Sequence, residues 1–387
     1  MTPTVPTKAL LRSLKPRLPE MLQTLRKFVV AESPSLEKEP ADRCCSIVEK
    51  EWRARRLKVD RIPQEQRSDH LRITWSPAAS RATGQLLVLG HYDTVYASGM
   101  LRKMPFRIAG GKAYGPGTFD MKAGIVQALF ALDAIRELPA GEQPRKRIVY
   151  LWTSDEEIGS DTSRKLIETE ARRSDAVFVL EPSFGPRGSL KTARKGVGEA
   201  ELIVRGRASH AGLAPQEGIN AINELARQIG RVESWTNLHR GVTVSPGIID
   251  GGTRVNVVPE LARATLDLRA FTITDMRRLE RRLHALRPSL QGARLEVRGG
   301  FNRAPLERKM SAALFARAKS LAAQINISID ECTVGGGSDG NLTAAVGTPT
   351  LDGLGAVGNG AHATYEHVIV KTMPERAALL AALLCAS

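Results

Sequence analysis

Three short apolar runs, separated by helical segments, constrain the fold of this chain more than any other feature. The runs are QLLVLGH at 85–91, RIVYLWT at 147–153 and AVFVLE at 176–181. Continuous apolar runs of this length predict strands that are buried on both faces of a sheet. The segments between them, MKAGIVQALFALDAIREL and SRKLIETEARR, have helical spacing. Alternating strands and helices predict an α/β fold with a largely parallel, helix-layered sheet.

The pattern changes at about residue 197, which indicates a second domain. GEAELIVRGR alternates like a half-exposed strand, and a helix, two strands, a helix and the strand RLEVRGG follow. This β-α-β-β-α-β order is that of a ferredoxin-like module. From about residue 305 the α/β pattern returns. We therefore predict one discontinuous α/β domain, formed by 1–196 and 305–387, with the module 197–304 inserted into it.

The charge and cysteine content exclude several classes of function. The formal net charge is +15, but the basic residues are scattered and aromatic residues make up only 5%. This composition disfavours a nucleic-acid partner. The four cysteines show no metal-ligand spacing, and no apolar stretch reaches the roughly 20 residues of a membrane helix. Because a secretory signal is also missing, we expect a cytoplasmic protein with reduced thiols and no membrane partner.

Acidic and histidine side chains follow each of the three buried strands. His91 and Asp93 follow the first, the acidic run 155–157 follows the second, and Glu181 ends the third. Ligands of such sheets bind at the carboxyl ends of the strands. Taken alone, each residue has an ordinary structural explanation; Asp120, for example, suits a helix N-cap.

Taken together, these residues suit a pair of divalent cations. Two histidines and three carboxylates are available at strand ends or in glycine-flanked loops: His91, Asp120, Glu157, Glu181 and His362. Mixed imidazole and carboxylate ligands favour Zn²⁺, with Co²⁺ or Mn²⁺ as alternatives. A plausible division has His91 and Glu181 on one ion, Glu157 and His362 on the other, and Asp120 between them.

Five motifs carry a resemblance to a known family. In chain order they are GHYDTVY, YGPGTFDMKAG, TSDEEIGS, LEPS and GNGAHATYEH, and the inserted module adds ASHAGLAPQEGINAI and RVNVVPELARATLDLR. The chain resembles the dizinc exopeptidases that include glutamate carboxypeptidase, acetylornithine deacetylase, succinyl-diaminopimelate desuccinylase, tripeptidase and aminoacylase. Among these it most resembles the folate-cleaving glutamate carboxypeptidases.

The resemblance implies a mechanism in which the α/β domain is catalytic. The five residues above would be metal ligands, with Asp120 bridging, and Asp93 would orient His91. Glu156 would be the general base that takes a proton from a metal-bridging water and returns it to the leaving nitrogen. The family also often has a cis peptide after the bridging aspartate, here Asp120–Met121. The expected reaction removes a C-terminal amino acid, glutamate-like, from a small peptide or N-acyl conjugate.

The resemblance further implies that the inserted module is a lid and the surface of a homodimer. His210 would stabilise the oxyanion, commonly from the partner subunit. Asn256, Arg269 and Arg303 would contact the substrate carboxylate. The glycine run Gly335, Gly336 and Gly337 offers backbone N–H groups that suit the same carboxylate.

Two alternatives stay open at this point. One is an N-acyl-amino-acid amidohydrolase of the aminoacylase or deacetylase type, which would use the same metals and base on a different acyl group. The other is a non-catalytic dimeric relative, against which the intact Glu156 and the full ligand set argue. The sequence assigns no role to Asp155.

Overall fold

The computed structural model of the chain describes residues 5–77 and 82–387. Two compact units are present. The first comprises the chain up to Thr192, Arg308–Thr333 and Ser338–Ser387, and the second comprises Ala193–Glu307 with Val334–Gly337. Residues 1–4 and 78–81 of the first predicted domain segment lie outside the described residues. The domain boundaries 1–196, 197–304 and 305–387 stay a prediction.

The elements of the first unit precede and follow the second unit along the chain. Its helices up to the second unit are α1 (Thr7–Leu14), α2 (Leu18–Val30), α3 (Lys38–Ala54), α4 (Ala123–Arg136) and α5 (Arg164–Arg172). The strands of this part are β1 (Lys58–Ile62), β2 (His70–Trp75), β3 (Gln85–His91), β4 (Arg107–Ala109), β5 (Lys112–Tyr114), β6 (Arg147–Thr153), β7 (Ala176–Val179) and β8 (Leu190–Arg194), the last of which continues into the second unit.

The second unit contains six regular elements in the predicted β-α-β-β-α-β order. They are β9 (Gly196–Arg205), α6 (Ala221–Glu233), β10 (Thr243–Gly251), β11 (Leu261–Ala270), α7 (Ile273–His284) and β12 (Arg294–Arg303). The strands form an antiparallel sheet in the order β10-β11-β9-β12. Strand β11 alternates buried and half-buried residues, because one face of the sheet packs on the two helices.

After the second unit the chain forms β13 (Glu331–Val334), β14 (Thr350–Leu351), β15 (Gly358–Asn359) and β16 (His367–Ile369). The helices here are α8 (Ala312–Gln324), α9 (Asp339–Ala345) and α10 (Met373–Ala386). Helix α4 is apolar on nearly all sides because it is enclosed by α10, α1, α2 and β3. In the described residues no helix is long and apolar enough to cross a membrane.

The central sheet of the first unit has the strand order β1-β2-β6-β3-β7-β14. The pairings of β6 with β3, β3 with β7 and β7 with β14 are parallel, whereas β1 and β2 join one edge in antiparallel pairings. The predicted α/β class with a largely parallel, helix-layered sheet is therefore confirmed. In register, His91 lies opposite Thr153 and Leu89 opposite Val179, so the chain leaves all three buried strands at the same edge.

Candidate active site

The structure brings the five predicted metal ligands together at this edge of the sheet. His91 Nε2 lies 3.4 Å from Asp120 Oδ1 and 3.5 Å from Glu181 Oε1. His362 Nε2 lies 3.5 Å from Asp120 Oδ2 and 3.2 Å from Glu157 Oε2. The two carboxylate oxygens of Asp120 therefore face two different histidines. Each histidine also faces one further carboxylate, which gives two half-sites that share Asp120.

Local backbone structure explains how these side chains converge. His91 ends β3, Glu157 lies in a 3₁₀ turn shortly after β6, and Glu181 follows β7. Asp120 lies in an irregular turn before α4, and the Asp120–Met121 peptide is cis, as the family resemblance implies. His362 has a φ of 63°, a left-handed conformation that few non-glycine residues adopt.

Gly117 is required for the turn that carries Asp120. Its φ is 70°, and an added Cβ atom would lie 2.5 Å from Thr94 Cγ2. Both the backbone conformation and the space therefore favour glycine at this position. The second glycine of the GPG segment in YGPGTFDMKAG is thus explained by the close approach of two loops beside the site.

The electrostatics of the cluster fit divalent cations. Buried His91 Nε2 and Asp120 Oδ1 have no hydrogen-bond partner among the described residues. Hydrogen bonds to Asp120 and Glu157 raise the pKa of His362 to about 10. Burial, together with the charge of Asp120, raises the pKa of Glu157 to about 7. Bound cations would reduce the repulsion between the crowded carboxylates, and they would bind the buried nitrogen and oxygen atoms that have no hydrogen-bond partner.

Asp93 supports the site on two sides. Its Oδ1 lies 3.3 Å from His91 Nδ1, which leaves the Nε2 atom of that ring directed at Asp120 and Glu181. The carboxylate also accepts the backbone N–H groups of Glu156 (3.3 Å) and Glu157 (3.2 Å). The residue predicted to orient one histidine thus also holds the acidic turn. Sequence reasoning missed this second contact.

Asp155, to which the sequence assigns no role, is fully buried and anchors the same acidic turn from the other end. Its Oδ2 accepts hydrogen bonds from the backbone N–H and the hydroxyl of Thr162, both at 2.7 Å, and from the backbone N–H of Ser163 at 3.2 Å. Burial opposes ionisation, but the hydrogen bonds from Ser163 and Thr162 hold the pKa of Asp155 below its ordinary value. Asp155 is therefore a structural residue of the loop.

Glu366 is the functional candidate that sequence reasoning missed. Its fully buried carboxylate accepts the backbone N–H groups of Gly117 (2.9 Å), Phe119 (2.7 Å) and Asp120 (3.0 Å). The hydroxyl of Tyr96 donates a fourth hydrogen bond at 2.8 Å. Glu366 therefore fixes the turn that presents Asp120. The only signal in the sequence is its position four residues after His362.

The neighbouring histidine, His367, has a different environment. Its Nδ1 lies 2.9 Å from the carbonyl oxygen of Tyr365, and its ring packs at 5.3 Å from that of Tyr114. It pairs with β5 as part of β16. The geometry therefore separates His362, which faces the carboxylates, from His367, which belongs to a small sheet.

In the second unit, His210 and Asn256 lie on adjacent segments. A β-bridge joins His210 to Val257, and the N–H of Ala211 donates to the carbonyl oxygen of Asn256. His210 Nδ1 accepts the backbone N–H groups of Gly212 (3.1 Å) and Leu213 (3.0 Å). Since Nδ1 is an acceptor, the neutral ring carries its proton on Nε2, which is left as a donor.

Two arginine side chains, Arg269 from the predicted set and Arg194, contact the glycine run. Arg269 is paired with Asp267 at 2.7 Å, and its Nη1 lies 3.5 Å from the carbonyl oxygen of Gly335. Arg194 donates to the carbonyl oxygens of Gly336 (3.2 Å) and Gly337 (3.1 Å). Arg303, at the end of β12, is only 6% exposed. The glycine run is thus held through its carbonyl groups.

Comparison with known proteins identifies the family to which this chain belongs. Residues 87–386 match the model of "Peptidase family M20/M25/M40". This chain is therefore a metal-dependent hydrolase. It belongs to peptidase family M20/M25/M40, and the resemblance drawn from its motifs is confirmed.

Individual relatives agree with this assignment. The chain is 32% identical to carboxypeptidase G2 of Pseudomonas sp. (strain RS-16) over 79% of its length and 74% of that protein. It is 30% identical to acetylornithine deacetylase of Salmonella arizonae, where the match spans 51% of this chain and only 54% of the relative. The crystal structure of aminopeptidase PepT from Bacillus cereus superimposes with a TM-score of 0.77 at 22% identity, covering 96% of this chain and 98% of that one. That likeness concerns the fold.

Proposed function

We propose that this protein is a dizinc carboxypeptidase that hydrolyses the amide bond to a C-terminal, glutamate-like amino acid. The observation that carries the proposal is the placement of Asp120 between His91 and His362, with one oxygen towards each. A carboxylate shared in this way suits two cations rather than one. The name of the similar carboxypeptidase G2 supports the direction of cleavage.

The proposed ligands follow from the two half-sites. His91 and Glu181 would hold one cation, Glu157 and His362 the other, and Asp120 both. The nitrogen and oxygen donors favour Zn²⁺, while Co²⁺ and Mn²⁺ fit the same set. Bound cations would supply Lewis-acid polarisation of the scissile carbonyl and lower the pKa of the attacking water.

Glu156 is the proposed general base. One of its carboxylate oxygens lies within 4.8 Å of the ligand atoms of both His91 and Glu181. Its backbone is fixed by Asp93, so the side chain is held beside the cluster by the same group that orients His91. Glu156 would take a proton from the attacking water and deliver it to the leaving nitrogen.

The second unit would supply the remaining contacts to the substrate. His210, with its Nε2–H as donor, is the proposed oxyanion stabiliser. Asn256, Arg269, Arg303 and the backbone of the glycine run Gly335, Gly336 and Gly337 are the proposed partners of the substrate carboxylate. The overall basic charge would attract an acidic substrate of this kind.

We also propose that the protein is a homodimer formed through the second unit, which acts as a lid. Strand β10 is at the edge of its sheet. The apolar side chains of Ile248, Ile249 and Val255 on and beside this strand are exposed. An exposed apolar edge strand is a surface that another chain can cover.

An N-acyl-amino-acid amidohydrolase is the second candidate, supported by the similarity to acetylornithine deacetylase. One experiment distinguishes the carboxypeptidase from the amidohydrolase and tests the carboxypeptidase proposal. Purified protein is analysed for metal and then assayed on dipeptides and N-acyl amino acids that vary at the C-terminal residue. Two Zn²⁺ per chain and a preference for glutamate are expected. Failure to bind metal, or equal rates on acidic, basic and apolar C-terminal residues, would contradict the proposal.

A further inference from the structure

The second unit contains a pocket that is lined by none of the proposed catalytic or substrate-binding residues. It lies between the loop that follows α6 and one face of α7, and its volume is about 170 Å³. Its base is apolar and fixed, because the lining side chains Trp235, Val242 and Leu279 are buried. The lining also includes three arginines: Arg240, Arg278 and Arg282.

The charge of Arg240 is balanced within the pocket. Its Nη2 lies 2.6 Å from Oδ1 of Asp275, which is the only carboxylate among the described lining residues. Asp275 is itself buried, and its Oδ2 also accepts the hydroxyl of Thr272 at 2.9 Å. This ion pair joins the loop to the first turn of α7. Because it uses the one acidic side chain of the lining, the other two arginines need a negative charge from elsewhere.

Arg278 and Arg282 carry positive charge that no side chain balances. In the part of the chain that the structure describes, no carboxylate forms an ion pair with either guanidinium group. The two residues are four positions apart on α7, so their side chains are neighbours on one face of the helix. Like charges at this spacing repel, and burial together with the charge of Arg278 lowers the pKa of Arg282. An anion bound between the two groups would remove this repulsion.

Trp235 fixes the orientation of one of these arginines. The guanidinium carbon of Arg282 lies 4.4 Å from the centroid of the Trp235 ring, and Trp235 is only 7% exposed. A guanidinium group that stacks on an aromatic ring is held through its face, which leaves the N–H groups at its edge free to donate. Arginine donates two parallel hydrogen bonds to the oxygen atoms of a phosphate in this way. The stacking therefore prepares Arg282 to bind an anion.

We propose that this pocket binds a phosphate group, either as inorganic phosphate or as the phosphate of a small monoester. A phosphate group carries about 1.5 to 2 negative charges at neutral pH, which matches the two unbalanced guanidinium groups, whereas a carboxylate carries a single charge. The volume of about 170 Å³ is below the roughly 300–1,000 Å³ of pockets for drug-sized ligands, which suits one such group. The inference goes beyond the proposed hydrolase activity and does not depend on it.

The test uses phosphorus NMR titrations of the metal-loaded full chain with inorganic phosphate and with glycerol phosphate at constant ionic strength. Arg278→Ala and Arg282→Ala should each weaken binding by about 10–100-fold, because each removes hydrogen bonds to a charged group. Arg282→Lys keeps the charge but loses the paired donors, so its affinity should lie between those of Arg282→Ala and the wild type. Acetate at the same concentration should not displace the bound phosphate.

Arg277→Ala and Arg281→Ala are the matched controls. Both arginines are exposed on α7, and each directly precedes one of the pocket arginines, but neither lines the pocket. Each control removes the same charge from the same helix and should weaken binding by less than about twofold, since salt screens charges at the surface. Circular dichroism checks the folding of each variant. Arg278 makes no ring contact with Trp235, so Arg278→Ala tests the pocket even if Arg282→Ala disturbs the packing of that ring.

Three results would overturn the inference. One is the absence of binding for both inorganic phosphate and glycerol phosphate. Another is an equal loss of affinity in the pocket variants and the controls, which would indicate general attraction to a basic helix. The third is wild-type affinity in Arg278→Ala and Arg282→Ala, which would place the bound phosphate elsewhere, for example on the proposed metal ions. If binding depends on the pocket arginines, the tighter of the two ligands identifies whether the pocket takes the free ion or a monoester.

Discussion

The carboxylate of Glu366 accepts the backbone N–H of Asp120, with 3.0 Å between Oε1 and the nitrogen. The same carboxylate also accepts the backbone N–H groups of Gly117 and Phe119 in this turn. The carboxylate thus stabilises three N–H groups that precede α4, and with them the orientation of the Asp120 side chain. This role makes Glu366 a positioning residue for Asp120, the proposed shared ligand.

Glu366→Ala should therefore weaken metal binding by about 10–100-fold, the usual effect of removing a group that orients a ligand. Glu366→Gln keeps one acceptor oxygen and should lie between the alanine variant and the wild type. Competition with a chelator of known affinity measures the change. Glu142→Ala, at an exposed glutamate, is the control and should be neutral. Wild-type metal affinity in Glu366→Ala would refute the positioning role.

Glu156→Gln should retain both metal ions and lose about 10²–10⁴-fold in kcat, because it removes the proposed general base but none of the proposed ligands. Metal analysis and steady-state kinetics on the same preparation measure the two effects. Glu157→Gln is the contrasting variant and should lose metal as well as activity. If Glu156→Gln turned over at the wild-type rate, another group would have to be the base.

Asp155→Ala should reduce the free energy of unfolding by about 1.5–3 kcal/mol, because it removes a buried charged acceptor and leaves the N–H groups of Thr162 and Ser163 without it. Urea denaturation measures the loss. Asp161→Ala removes an exposed carboxylate from the same loop and should change stability by less than about 0.5 kcal/mol. Equal stabilities for the two variants would mean that Asp155 does not anchor the turn.

Glu224 gives the second unit a stability that depends on pH. The side chain is fully buried and accepts hydrogen bonds from Gln228 (2.6 Å) and from the backbone N–H groups of Ser289 (2.8 Å) and Leu290 (2.7 Å). Burial favours the neutral acid, but these bonds hold the pKa of Glu224 below its ordinary value. A lowered folded-state pKa stabilises the fold above the unfolded-state pKa, and the stabilisation is lost as pH falls.

The free energy of unfolding of the wild type should therefore exceed that of Glu224→Gln by about 1.5–3 kcal/mol at neutral pH. This difference should shrink below about pH 4. Urea denaturation of both proteins at neutral pH and below pH 4, monitored by circular dichroism, measures the difference. Glu233→Gln, at an exposed position of α6, is the control. A difference that stayed constant with pH would exclude a contribution from ionised Glu224.

The sequence predicted the parts of this molecule that depend on local pattern. Buried strands of a parallel sheet appear in the sequence as continuous apolar runs. The meeting of His91 and Glu181 at one edge of the sheet could therefore be predicted from their positions at the ends of such runs. The contacts of Glu366 did not follow, since Gly117 is 249 residues away along the chain and a buried glutamate looks like any polar loop residue. The second contact of Asp93 was missed for the same reason, because backbone N–H groups have no sequence signature.

The order of the ligands along the chain has a consequence for how the protein is made. His91, Asp120 and Glu181, the proposed ligands of one cation, are all translated before the second unit, whereas the other cation needs His362, which follows it. Folding during synthesis proceeds from the N-terminal side. The ligands of the two half-sites therefore leave the ribosome at different times. Neither half-site is complete before the last segment is made, because the turn that presents Asp120 is held by Glu366, which also follows the second unit.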